Sequence, residues 1–140
     1  MHVESARELL LSLPHVVETQ QWGDNLVFWV GDKAIGGKMF CMLNLGGDSQ
    51  GVVSFASTPD SFAELVEQDG LLPAPYFARI YWVAAERWTA LRDDEWREVL
   101  QIAHARVLSK HTPKLHRILA MTKTEQKKLV AAARKVRAAK

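Results

Sequence analysis

Residues 76–91 read YFARIYWVAAERWTAL, from Tyr76 to Leu91. Ile80, Tyr81, Trp82 and Val83 are aromatic or β-branched, types that suit a pleated, half-buried surface, and Arg79 and Arg87 flank them. Asp93-Asp94-Glu95 follow at once, and acidic residues in a first turn complement the helix dipole. The reading is a strand that hands over to a helix, with Asp93 as cap and the helix running from about 94 to 110. Its inward face is Trp96, Val99, Leu100, Ala103 and Val107. A strand and helix joined this closely pack on each other, so the segment is expected to close the core.

Outward from that stretch the pattern is a meander. Residues 3–13 place Leu9, Leu10 and Leu13 at helical spacing and Pro14 stops them. Residues 16–20 make a short strand, Gly23-Asp24-Asn25 a turn, and residues 26–30 (LVFWV) an apolar strand. Gly31-Asp32 has hairpin-turn composition, and Gly36-Gly37 is expected to bulge or break the returning strand. Residues 39–45 put Cys41, Leu43 and Leu45 on one face, Gly46-Gly47-Asp48 turns, and residues 52–55 continue the sheet. Thr58-Pro59 opens a helix striped by Phe62, Leu65 and Val66 and ended by Gly70. The prolines at 73 and 75 keep the next link extended. Helix, meander, helix, strand, helix describes an α+β domain, an antiparallel sheet with helices packed on one face.

The chain of 140 residues suffices for one domain with a sizeable core. No apolar run is long enough for a membrane helix, and Glu4 and Glu8 interrupt what would otherwise resemble a signal segment. With Cys41 alone no internal disulfide can form, and its neighbours Phe40 and Met42 make it a buried, small hydrophobe. The expected compartment is the cytoplasm.

The net charge of +2 conceals a segregation. Residues 1–109 hold 8 Lys/Arg against 15 Asp/Glu, whereas residues 110–140 hold 10 Lys/Arg against Glu125 alone, formal charges of −7 and +9. An acidic body with a basic arm is the natural reading. We divide the chain accordingly into a body of residues 1–113, with Pro113 as its end, and a basic amphipathic helical tail of residues 114–140. In the tail Thr122 and Glu125 match a capping box and alanines favour helix. Wound as a helix, Lys123, Lys127, Lys128, Arg134 and Lys135 fall within an arc of roughly 140°. Leu129, Val130, Ala133 and Val136 lie opposite, with Arg137 and Lys140 near the edges.

The body resembles the MmcQ/YjbR family. The resemblance rests on the first helix ending LSLP (residues 11–14), VFWVGDK (27–33), GGKMFCMLNL (36–45), PAPYFARIYWVAAERW (73–88) and the Leu-x-Asp-Asp-Glu-x-x-Glu pattern from Leu91 to Glu98. It covers roughly residues 3–113 and implies a CyaY-like (frataxin-like) fold and DNA binding; it implies no catalytic residues. The chain departs from the family at Ala103-His104, where a Ser-Tyr pair is common, and in the tail, which most members lack.

The basic tail is the strongest functional signal. Lysines and arginines so arranged contact phosphates rather than bases, so the partner expected is DNA, bound without sequence preference. The site residues proposed are Lys123, Lys127, Lys128, Arg134, Lys135 and Arg137, with Arg79 and Arg87 beside tryptophans that could stack on bases. Trp29, Trp82 and Trp96 lie in core patterns; Trp22 and Trp88 sit beside a turn and beside charges. The competing readings are a solubilising helix packed on the body and a protein-interaction module whose basic helix docks on an acidic partner, its own body or a second subunit. Membrane-surface binding is disfavoured, because the tail has no aromatics.

No enzymatic motif is present. His15, His104, His111 and His116 lack zinc-helix spacing, and Asp93-Asp94-Glu95 complement a helix start rather than hold a cation. Gly36-Gly37-Lys38 lacks the phosphate-loop frame, with Met39 where a hydroxyl belongs. No cofactor or metal is expected, and the sequence leaves the oligomeric state open.

Overall fold

The computed structural model describes residues 1–21, 23–46 and 51–139. Trp22, Lys140 and the expected turn residues Gly47 and Asp48 lie outside them. The order is α1 (Val3–Ser12), β1 (Val16–Gln21), β2 (Asn25–Val30), β3 (Lys38–Asn44), β4 (Val53–Ala56), α2 (Pro59–Leu65), β5 (Leu71–Pro73), β6 (Trp82–Ala85), α3 (Asp93–Ser109), α4 (Pro113–Leu119) and α5 (Lys123–Ala138). The strands form one antiparallel sheet in the order β1-β2-β3-β4-β6-β5. The fold is α+β, as the element pattern requires.

Register divides the side chains by the two-residue period of a strand. On one face Phe28, Cys41, Phe55 and Val83 lie in successive partner positions across β2, β3, β4 and β6. All four are fully buried, and α1 and α3 cover them with Ala6, Leu10, Trp96, Leu100 and Ala103. Trp96 packs edge-on to Phe55 with ring centroids 6.1 Å apart and donates Nε1–H to the Trp88 carbonyl at 2.8 Å. Its indole is thus buried with its polar group satisfied. His104 is likewise core: its ring meets Phe40 edge-on at 5.3 Å and its Nε2–H donates to the Pro14 carbonyl at 2.7 Å.

Several local expectations are corrected. The decisive strand begins at Trp82, because residues 78–80 form a 3-10 turn and Tyr81 takes a left-handed conformation with φ 66°. Tyr81 is held there by Ser57, whose N–H and hydroxyl both donate to its carbonyl, and by ring contact with Phe62. A second 3-10 turn, Trp88–Ala90, separates β6 from α3. Arg92 rather than Asp93 occupies the N-cap of α3, and Glu95 reaches back to the Arg92 N–H at 3.0 Å.

The β2–β3 connection is not a two-residue hairpin. It runs over residues 31–37 and contains a 3-10 turn, Lys33–Ile35, capped by the Asp32 carboxylate on the Ala34 N–H at 2.8 Å. Gly36 ends that turn at φ 99°, and a Cβ on Gly37 would run into the backbone of Gly31. The glycine pair therefore closes a loop on itself, and the irregularity in the returning strand falls farther along β3, where Phe40 is the extra residue opposite the Phe28–Trp29 step of β2.

Candidate nucleic-acid interface

The glycine loop sets where the C-terminal helices go. Thr112 caps α4, accepting from the Leu115 N–H at 3.2 Å, and Pro113 stands at its first turn. Leu115, Ile118 and Leu119 are buried, and Leu115 and Leu119 approach Gly31, where a larger residue would meet them. Just before α4, buried His111 donates Nε2–H to the Val30 carbonyl at 2.8 Å, anchoring the segment to the end of β2. Packing is therefore continuous across Pro113 and reaches Leu119.

From there Gln126 ties α5 back, donating Nε2–H to the Met121 carbonyl at 3.0 Å and to that of Leu119 at 3.3 Å. Thr122 caps α5, accepting from the Glu125 N–H at 3.1 Å. The reciprocal half of the expected capping box, from Glu125, is not made.

The 16 residues of α5 include none that is buried. Gln126, Val130 and Ala133 are half-buried and mark the side turned to the body, so Leu129 and Val136 stay exposed on its flank. Among the described residues one ion pair crosses from α5 to the body: Arg134 Nη2 lies 2.7 Å from Asp32 Oδ2, in the glycine loop. Beside it opens a cleft of about 180 Å³ lined by Val17, Thr19, Trp29, Lys33, Arg134 and Arg137, with Gln21, Asp32 and Ala34 completing it. Val17 and Thr19 alternate with Glu18, which pairs with Arg7 of α1 at 2.6 Å, so the cleft belongs to the sheet face away from α1. Three cations and one carboxylate surround it. Trp29, only 7% exposed, donates Nε1–H to Thr19 Oγ1 at 2.8 Å and lies under Lys33 Nζ, 5.8 Å from the ring centroid. A separate cleft of about 200 Å³ between α2 and α3 carries the opposite sign, with Glu64, Glu95 and Glu98 over an apolar lining.

Of the residues proposed from sequence, Arg134 and Arg137 come together at the first cleft. Lys123, Lys127, Lys128 and Lys135 are exposed along α5 without an ion pair among the described residues. Arg79 is exposed between β5 and β6, and Arg87 is held by Asp69 at 2.7 Å and Glu86 at 3.6 Å. Those two belong to the edge of the sheet farthest from β1, so the fold does not gather all eight cations into one surface. Lys33 and Asp32 were not singled out as site residues by sequence reasoning; Asp32 meets Arg134 across 102 residues of chain, which no local spacing reveals.

The remaining polar candidates are structurally occupied. His104 and His111 spend their Nε2–H groups on backbone carbonyls, and among the described residues no three His, Cys, Asp or Glu are grouped to hold a metal ion. Burial pushes the Cys41 thiol far above its ordinary range, so it is not a nucleophile at neutral pH. No described helix is long and apolar enough to cross a membrane.

The YjbR family model matches residues 11–106, more than half of the chain. The chain belongs to the YjbR family. Among solved structures this YjbR chain is similar to Deinococcus radiodurans protein DR2400, a DUF419 domain, with TM-score 0.67 and 22% identity over 90% of this chain and 86% of that one. At that identity the likeness concerns the fold. None of the curated proteins matches. The family match ends at Arg106, so α4, α5 and the Arg134–Asp32 contact lie beyond it.

Proposed function

We propose that this YjbR protein binds nucleic acid, DNA in the first instance, without sequence preference and without catalysing a reaction, in the cytoplasm. The observation that carries the reading is the row of exposed cations on α5: Lys123, Lys127, Lys128 and Lys135 have no carboxylate partner among the described residues. At 1.5 Å per residue the helix is roughly 24 Å long, enough to follow several phosphates. The sheet with α1 and α3 on one face fits the CyaY-like arrangement that the resemblance implies, and we adopt that as part of the reading. Fold alone does not carry the function; the exposed charge does.

The test is a gel shift with duplex DNA at low salt, comparing the full chain with a truncation after Met121. That end point spares His111, Leu115, Ile118 and Leu119, which a cut at residue 113 would expose or remove. Retention of DNA by the full chain and its loss on truncation, with the circular dichroism of the body preserved, is the expected outcome. Undiminished binding moves the site to the body, and no binding by the full chain ends the proposal.

A second reading, a protein-interaction module, draws support from the contact between Arg134 and Asp32 and from exposed Leu129 and Val136. It requires that the truncation change the oligomeric mass or the melting temperature while DNA retention is absent throughout.

A further inference from the structure

We infer that the cleft between β1, β2 and α5 receives one unpaired nucleotide, so that the protein prefers single-stranded nucleic acid to duplex. The inference rests on the nucleic-acid reading and adds to it the form of the ligand. Its basis is a juxtaposition: an apolar and aromatic wall (Val17, Trp29, Ala34) meets a rim of Lys33, Arg134 and Arg137 that only Asp32 offsets. A flat, mostly apolar ring system attached to a phosphate matches both halves. A bare phosphate would leave the wall unused, and an apolar ligand would leave the rim unanswered.

Size narrows the choice. Pockets for drug-sized molecules run to roughly 300–1,000 Å³, whereas this cleft holds about 180 Å³ and admits a single ring system. Polar complementarity points the same way. Gln21, on the cleft wall, has its side-chain carbonyl Oε1 buried with no hydrogen-bond partner among the described residues. An unmet buried acceptor is uncommon and unfavourable, and a small turn of the amide would offer it to an N–H on a base edge. Arg137 and Lys33 are exposed or rim-placed and are not ion-paired among the described residues, so they are available to the phosphate. Lysines 123, 127, 128 and 135 continue along α5 toward flanking phosphates. A base paired and stacked in a duplex cannot enter such a cleft without first leaving the stack.

The test uses the full chain and two fluorescently labelled probes, a 12-nucleotide single strand and a hairpin duplex, in anisotropy titrations at matched low salt. Two paired variants are compared, K33E/R137E at the rim and K128E/K135E on the outer side of α5. The inference expects the strand to bind at least about tenfold more tightly than the duplex, in keeping with the contribution of a base held against protein. It also expects K33E/R137E to remove that preference, and K128E/K135E to weaken both probes alike. Displacement of the strand by millimolar AMP means that a free nucleotide suffices; failure to displace it means that flanking phosphates are required. Both results support the cleft once the preference is seen. Equal affinity for the two probes, or equal weakening of both by the rim variant, overturns the inference while leaving the nucleic-acid reading in place. Binding of neither probe removes both.

Discussion

Arg134 and Asp32, 102 residues apart in sequence, meet with 2.7 Å between Nη2 and Oδ2. Asp32 also caps the 3-10 turn of the glycine loop through its other oxygen. A single carboxylate therefore links the local geometry of the β2–β3 loop to the position of α5. Arg134 stays 66% exposed in its side chain, whereas Asp32 is 18% exposed, so the pair sits at the protein surface with its acidic half sheltered. Exposed pairs of this kind contribute about 0.2–1 kcal/mol.

Breaking that link from either side should have different consequences. Arg134→Ala is expected to leave the urea midpoint almost unchanged and to lower amide-exchange protection in residues 123–138. Asp32→Ala also removes a helix-type cap, a change that costs about 0.5–2 kcal/mol. It should therefore lower both the midpoint and the protection. Equal effects of the two substitutions on the midpoint would show that the cap contributes nothing.

The reach of the compact body is tested by paired leucines. Leu119, 5% exposed, and Leu129, 38% exposed, lie on neighbouring helices. Leu119→Ala is expected to destabilise by about 2–5 kcal/mol, and Leu129→Ala by about 0.5 kcal/mol or less. Urea unfolding followed by tryptophan fluorescence gives both values. A negligible loss at Leu119 would place the edge of the body before α4.

Gly37 is required by contact rather than by its own backbone angles. Gly37→Ala drives a methyl into the Gly31 carbonyl, which belongs to the backbone and cannot swing aside. The expected loss is about 1–3 kcal/mol, seen as a lower melting temperature, with weakened protection at the ends of β2 and β3. An unchanged melting temperature would mean that the loop relaxes freely.

Cys41 should be inert in the folded chain. Fully buried and with its thiol pushed far above the ordinary range, it offers almost no thiolate at pH 8. Iodoacetamide is expected to label it only after denaturation, by mass spectrometry. Fast labelling of the native protein would show that the strand β3 opens on that timescale.

Salt supplies the last prediction. If α5 lies along duplex phosphates, the logarithm of the binding constant falls linearly with that of the salt concentration, at roughly 0.9 per contact. K128E/K135E should reduce the magnitude of that slope by about 1.8 or more, since each substitution deletes a contact and adds a repelling charge. An unaltered slope would take α5 off the phosphate backbone.

Sequence alone determined the features that depend on near neighbours and on composition. The strand pattern of residues 26–30, the Thr58-Pro59 start of α2 and the Thr122 cap of α5 were all legible, because periodicity and capping act within a few residues. The same holds for the α+β class and for the charge asymmetry. Only the tertiary structure decided that Tyr81 turns left-handed under Ser57, that Gly36-Gly37 closes a loop on Gly31, and that Leu115 and Leu119 belong to the body. It also brought Lys33 and Trp29 to one cleft with Arg134 and Arg137. The physical reason is that α5 has the cations of a free helix but too little apolar surface to determine its own seat. Its position is decided by the anchored α4 before it, by the Gln126 amide that ties it to the preceding turn, by half-buried Val130 and Ala133, and by the Arg134–Asp32 pair, whose 102-residue separation no local spacing relates.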